Sequence, residues 1–288
     1  MRTHSMVPTV GWISGDTLRV FVSGRDEQNR SQIGCFDCDL NDPLHSAVIR
    51  EEPVLRHGEL GCFDDNGVTP SSVVRMGDRI HLYYIGWKPR STTRMSLHIG
   101  LAVSEDGGET FRRHSRATIL PDTDEEPFSI LTAPCVLREG DLWRLWYVSG
   151  EGWIHPDLPI YNIKTATSAD GVHWDRRGEV SIDFESGDEV SLARPCVVRD
   201  GERYRMWYSV KRRGGAYRMG YAESATGVAF KRMDRVLEGL EPSAEGWDSE
   251  MIEYPGVFLH GGNYYMLYNG NNYGHDGVGL AVMEMDGE

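Results

Sequence analysis

Carboxylates recur in this chain at a fixed distance before proline. Asp64 and Asp65 stand six and five residues before Pro70, Glu189 six before Pro195, and Glu250 five before Pro255. Glu253 lies two residues before the last of these prolines. Carboxylates that converge on one pocket raise each other's pKa by like-charge repulsion. One can then stay protonated as an acid while another is ionised as a base or nucleophile. Cleavage of a glycosidic bond uses such a pair. On this reading Asp64 or Asp65 is base or nucleophile, and Glu189 or Glu250 is the acid. The choice within each pair stays open, because a one-residue slip in register turns a strand side chain to the other face. The alternative is structural, with Asp64, Asp65 and Asn66 as turn residues and Glu189 as a solvated loop charge.

Residues suited to holding a sugar stand around them. Arg194 and Tyr254 immediately precede Pro195 and Pro255, and both are expected to orient a substrate, with Glu253 beside Tyr254. Arg194 could equally be a structural partner of Glu189 or Glu253. Trp87 and Trp153 offer faces on which sugar rings stack, or they pack their own loops. Asn271, His155 and His275 complete the candidate binding set, although each histidine also reads as an ordinary loop residue.

A repeat positions these residues. Pro8, Pro70, Pro134, Pro195 and Pro255 are each followed two or three residues later by Val, at spacings of 62, 64, 61 and 60. An aromatic-rich strand is expected after each, at 18–22, 80–85, 143–148, 204–210 and 264–268. Third strands are expected at 33–38, 97–104, 163–168, 217–223 and 278–284, and fourth strands at 110–116 and 172–176. Proline in a strand is confined to edges, strand starts or bulges. Its return at one place marks a recurring innermost edge. Five repeats of three or four strands predict an all-β fold, a single-domain five-bladed β-propeller, in which radial repetition leaves only short edges. The blades are expected at roughly 1–55, 56–120, 121–182, 183–240 and 241–288, the last three-stranded or completed by the N-terminus.

In an up-and-down blade, the start of strand one and the loop from strand two to three share a face. There the loops are long: 86–96 with Trp87, 150–162 with Trp153 and His155, 211–216, and 269–276 with Asn271. On the opposite face the turns are minimal, as at Gly77-Asp78 and Gly261-Gly262. Function tends to sit on loops held by a rigid scaffold, so the pocket is expected on the first face. The Asp-Gly turns at Asp106-Gly107 and Asp170-Gly171 read as structural hairpins.

Composition agrees with one globular chain. Of 288 residues, 40% are hydrophobic, with 8 Trp and 13 Tyr, which suits aromatic cross-strand pairs. The formal charge of −14 argues against nucleic acid and anionic membrane as general partners. No apolar stretch long enough to span a bilayer occurs. The opening residues MRTHSMVPTVGW lack the apolar centre of a signal peptide, so a cytoplasmic location is expected. Cys35 and Cys38 have CxxC spacing without a second pair, and are expected as packed thiols rather than zinc ligands. No cofactor is implied. The expected partner is a small carbohydrate.

The segments MWYS, LWYVSG, MLYNGNNYG, IGLAVSEDGG and SADGVHW resemble the five-bladed glycoside hydrolases of the arabinanase/β-xylosidase and invertase/levansucrase type. They resemble still more closely uncharacterised bacterial relatives of those enzymes. The likeness covers residues 62–285 and extends weakly to the first blade. It implies an early Asp as base or nucleophile, a later orienting Asp, and a Glu as acid. Asp64 or Asp65 matches the first role by position, and Glu189 or Glu250 the last. The orienting Asp has no counterpart in the third repeat, where PFSILTAP stands, and MVPTVGW in the first repeat lacks an Asp as well. The function implied is cleavage or transfer of a glycosyl group, with a glycoside phosphorylase or a non-catalytic sugar-binding propeller as alternatives.

Overall fold

The computed structural model describes residues 3–237 and 239–283. Residues 1–2 of the expected first blade, 238 of the fourth and 284–288 of the last, with Glu284 as the expected end of the last strand, lie outside them. The chain is nearly all β. The first group holds β1 (Thr3–Ser14), β2 (Thr17–Arg25), β3 (Ser31–Asp39) and the short β4 (Val48–Ile49). The second holds β5 (Val68–Met76), β6 (Arg79–Pro89), β7 (Met95–Ser104) and β8 (Arg112–Arg113). Next come β9 (Leu131–Glu139), β10 (Leu142–His155), β11 (Leu158–Ser168) and β12 (Asp175–Ile182). They are followed by β13 (Glu189–Asp200), β14 (Arg203–Arg212), β15 (Arg218–Ser224) and β16 (Lys231–Arg232). The last group has β17 (Glu253–His260), β18 (Asn263–Asn269) and β19 (Val278–Met283). Within each group neighbouring strands pair antiparallel in sequence order. No helix among the described residues is long and apolar enough to cross a membrane.

Successive aromatic pairs on the second strands explain how the groups join. Tyr83-Tyr84, Trp146-Tyr147 and Trp207-Tyr208 are all fully buried. Consecutive strand residues point to opposite faces, so one ring packs toward the preceding group and the other toward the following one. Tyr84 joins Phe21 and Ile33, whereas Tyr83 joins Leu145 and Tyr147. Trp146 joins Met206 and Tyr208, and Trp207 joins Val257 and Tyr264. Leu267 and Phe258 of the last group pack with Leu18 and Val20 of the first. Each large ring removed from water contributes roughly 4–6 kcal/mol of transfer free energy, as an upper figure.

The inner strands follow one another around an axis: β1 touches β5, β5 touches β9, β9 touches β13, β13 touches β17, and β17 returns to β1. Side chains beside the anchor prolines stitch this ring. Ser72 Oγ accepts the Val136 N–H at 3.0 Å, Cys135 Sγ the Val197 N–H at 3.2 Å, and Cys196 Sγ the Val257 N–H at 3.1 Å. At the closing seam Gly256 lies against the Pro8 carbonyl, where a Cβ would come within 2.6 Å of the oxygen. Asn269 accepts the Val7 N–H at 2.7 Å and donates to the Ser5 and Gly277 carbonyls, both at 2.9 Å. The last group is three-stranded among the described residues, and the N-terminal strand stays in the first group. The short fourth strands are narrower than expected at 110–116, and β12 begins later than expected at 172–176. There Ser104 and Asp106, and Ser168 and Asp170, tie down their turns with side-chain bonds to backbone N–H groups.

Candidate functional site

At the mouth of the channel four residues adopt a left-handed backbone. They are Val7 (φ 52°), Ala133 (φ 47°), Arg194 (φ 51°) and Tyr254 (φ 59°). Each immediately precedes an anchor proline, and in each inner strand the pairing register shifts there. Positive φ is costly for side-chain-bearing residues, and bulges re-aim the residues they contain. Strain of this kind gathers at ligand sites. All four residues line one cavity of about 190 Å³.

The cavity lies on the long-loop face. Trp87 stands near the end of β6 and Arg94 in the connection to β7, and Asp157 and Tyr161 belong to the β10–β11 hairpin. Lys211 stands near the end of β14 and Tyr217 in the connection to β15, and Tyr273 comes from the segment after β18. Arg25, at the end of β2, completes the cationic side. The Trp87 indole donates to Thr69 Oγ1 at 3.1 Å, which fixes its ring. Tyr161 and Tyr217 share a 2.5 Å bond between hydroxyls, and the Tyr217 and Tyr254 rings lie 6.0 Å apart.

Glu253 is set behind this tyrosine wall. It is 0% exposed, and neither carboxylate oxygen has a hydrogen-bond partner among the described residues. Burial pushes its carboxyl well above the usual carboxylate range, against the pull of Lys211 and of the neighbouring Tyr254 hydroxyl. Burial also raises the hydroxyls of Tyr161, Tyr217, Tyr254 and Tyr273, and Glu253 adds to the rise at all four. A carboxylic acid kept neutral beside a pocket can donate a proton.

The expected carboxylates go elsewhere. Asp64 is fully buried, but its partners are the Tyr84 hydroxyl at 3.0 Å and Arg113 Nε at 2.7 Å. Glu189 binds Arg232 through two bonds of 2.7 and 3.0 Å. Glu126 repeats the pattern with Tyr147 at 3.0 Å and Arg176 at 2.7 Å, and Asp248 takes the Tyr268 hydroxyl at 3.0 Å. These are clamps, one per group from the second to the fifth, which hold the chain before an inner strand to later strands of the same group. Asp64 and Glu189 stand six residues before their prolines, but Glu126 stands eight and Asp248 seven, so the clamps share a place in each group rather than a fixed offset. Asp65 accepts the Gly61 N–H at 2.8 Å within its own turn, and Glu250 is exposed. Asp64, Asp65, Glu189 and Glu250 therefore do not meet in one pocket, since the second, fourth and fifth groups each keep their own.

Of the expected binding residues, Trp87, Arg194 and Tyr254 line the cavity, with Glu253 behind them. Trp153 packs on the core between the third and fourth groups instead. His155 is exposed and accepts the Asp157 N–H at 3.3 Å. Asn271 is buried and holds the Glu250 and Met251 N–H groups at 2.8 and 3.2 Å. His275 pairs with Asp276 at 2.7 Å and meets the His4 ring edge-on. Arg25, Arg94, Asp157, Tyr161, Lys211, Tyr217 and Tyr273 were not singled out from the sequence. All but Arg25 and Tyr217 fall within the segments expected as long loops, although Tyr161 and Lys211 prove to lie in β11 and β14, and Tyr217 directly follows one, so expected loop length was the available signal.

Two proteins of Mycobacterium tuberculosis share this sequence along its length. "Uncharacterized protein MT1551" (strain CDC 1551 / Oshkosh) and "Uncharacterized protein Rv1502" (strain ATCC 25618 / H37Rv) are each 43% identical over 285 residues, covering 98% of this chain and 93% of the relative. The chain belongs to the family of these mycobacterial proteins. No protein-family model matches it. Among solved structures it is similar to one described as "Glycoside hydrolase", with a TM-score of 0.77 at 19% identity over 100% of this chain and 89% of that one. A thermostable family-43 glycoside hydrolase gives 0.71 at 15% identity, over 99% and 91%. A structure from the GH130 family of mannoside phosphorylases, described as containing glycoside hydrolases, gives 0.72 at 13%, over 97% and 84%. The fold is that of propeller glycoside hydrolases of the GH43, GH32 and GH130 type.

Proposed function

We propose that the channel mouth is the active site of an enzyme that cleaves or transfers a glycosyl group on a small carbohydrate. The ring of inner strands supports five blades in one domain. One observation carries the functional reading: Glu253 is the deeply buried carboxyl without a partner among the described residues, and it stands against pocket-lining Tyr254. In this reading Glu253 supplies the proton to the leaving oxygen, and the Tyr254 hydroxyl orients that oxygen or passes the proton on. Asp157, the carboxylate among the lining residues, is placed to activate water or another acceptor. Trp87 gives the sugar an apolar face. Asp64 and Glu189 hold blades together in this scheme and take no part in the chemistry.

The test is a screen of aryl glycosides and natural disaccharides, followed by Glu253→Gln and Tyr254→Phe. Loss of about 10²–10⁴ in turnover for Glu253→Gln, with a much smaller loss on a substrate whose leaving group needs no proton, is expected of a general acid. Full activity of both variants would exclude the assignment. Glycosyl transfer to phosphate is a second reading, favoured by Arg25, Arg94, Arg194 and Lys211 in the same cavity. Binding of sugars without turnover of any would leave the third, a sugar-binding propeller. A cytoplasmic location remains part of the proposal.

A further inference from the structure

Among the described residues, deeply buried cations have anionic partners, with one departure. Arg19 pairs with Asp37, Arg176 with Glu126 and Arg232 with Glu189, and Lys164 reaches Glu151 at 2.8 Å. Arg194 is 3% exposed and has no carboxylate within ion-pair distance among the described residues. Its guanidinium donates to Thr9 Oγ1 at 3.1 Å and to the Pro195 carbonyl at 3.4 Å, while Nε has no partner. An uncompensated buried charge is strongly unfavourable unless a counter-ion joins it. Two further arginines line the same cavity. Arg25 donates to Asn29 Oδ1 at 3.0 Å and to Met6 Sδ at 3.6 Å, and Arg94 makes no ion pair among the described residues. Burial, and then the positive charge of Arg94, lower the Arg25 guanidinium from its ordinary value. A chain with a net charge of −14 thus gathers four cations and one carboxylate around one small cavity.

We propose that Arg25, Arg94 and Arg194 form a cradle for one small oxyanion, a carboxylate or phosphate, at the glycosyl site. The inference rests on the reading of this cavity as the glycosyl site, and it adds that the ligand is acidic. Guanidinium groups suit such anions because their planar N–H pairs match two oxygens at once. The anion has two possible sources: an acidic group carried by the sugar, or free inorganic phosphate acting as the glycosyl acceptor. In the second case phosphate oxygen attacks the anomeric carbon as the glycosidic bond breaks. The departing oxygen then takes a proton from the acid, leaving a sugar phosphate and a free alcohol.

Calorimetric titration separates the cases without requiring turnover. The probes are inorganic phosphate and monosaccharides in matched neutral, uronate and 6-phosphate forms, on the full chain and on Arg194→Met and Arg94→Gln. Arg94 is exposed, so its variant folds even if Arg194→Met does not. A sugar-borne anion predicts that an acidic sugar binds at least about tenfold more tightly than its neutral counterpart, and that both variants erase the difference. Free phosphate as the source predicts phosphate binding alone, weakened in both variants. Equal affinity for acidic and neutral sugars, binding indifferent to both arginines, or no binding of phosphate or any acidic sugar at millimolar concentration overturns the cradle. Anion binding without turnover of any glycoside would retain the cradle and remove the enzyme. Turnover of glycosides with no preference for acidic ones and no dependence on phosphate, undiminished in both variants, would do the reverse.

Discussion

Arg194 and Glu253 occupy adjacent inner strands, one and two residues before their prolines, and both are buried at the channel without forming an ion pair with each other. Neither has an ion-pair partner elsewhere among the described residues. Here each is left for something else. The acid keeps its proton, and the cation keeps its charge.

The first prediction concerns stability against pH. The folded Glu253 carboxyl holds its proton above the unfolded value of 4.5. The folded state therefore binds more protons than the unfolded state between those two values, and stability falls as pH rises through that window. Glu253→Gln removes the titration. Its melting temperature relative to the natural chain should rise as pH increases above 4.5. A difference that stays flat or runs the other way would show that the carboxyl is not held neutral.

Activity should carry the same signature. A general acid with a raised pKa works while protonated, so kcat/KM should decline on the alkaline side as Glu253 ionises. The residual activity of Glu253→Gln should lack that limb. A limb that survives in the variant belongs to another group.

Breaking a clamp should weaken the fold and spare the pocket. Arg113→Leu leaves the fully buried Asp64 side chain with the Tyr84 hydroxyl but no cation. A loss of about 3–5 kcal/mol is expected when one partner of a buried pair is removed. Asp64→Asn should cost less, because the amide still accepts from Tyr84. Urea unfolding together with ligand affinity checks both. If Asp64→Asn abolishes turnover in a stable protein, the carboxylate has a chemical role after all.

Closure of the ring can be tested at its last seam. The Cβ of Gly256→Ala would press on the Pro8 carbonyl. Asn269→Ala removes two bonds to the first group, at Val7 and Ser5, and one to Gly277. Each should destabilise the whole protein by about 1–3 kcal/mol. An unchanged unfolding midpoint for both would mean that this seam contributes little to stability.

Much of the fold was legible because its causes are local and repeated. Proline at five equivalent places, paired aromatics on the second strands and Asp-Gly turns all act within a few residues. Loop length likewise pointed to the face that bears the cavity. The carboxylates were harder. Their offset before proline was real, but only Asp64 and Glu189 among them proved to be clamps, and an offset alone does not separate a structural from a chemical role.

The sequence by itself determined where strands begin and turn, and that one unit is built several times over. Only the tertiary structure decided which charges are compensated. Asp64 meets Arg113 across 49 residues, Glu126 meets Arg176 across 50, and Glu189 meets Arg232 across 43. Arg194 and Glu253 meet no such partner among the described residues. Nothing local distinguishes these two groups of residues. A charge's solvation and pairing depend on which distant chain packs over it, and at the anchor prolines a register shift and a left-handed residue override the simple alternation of a strand.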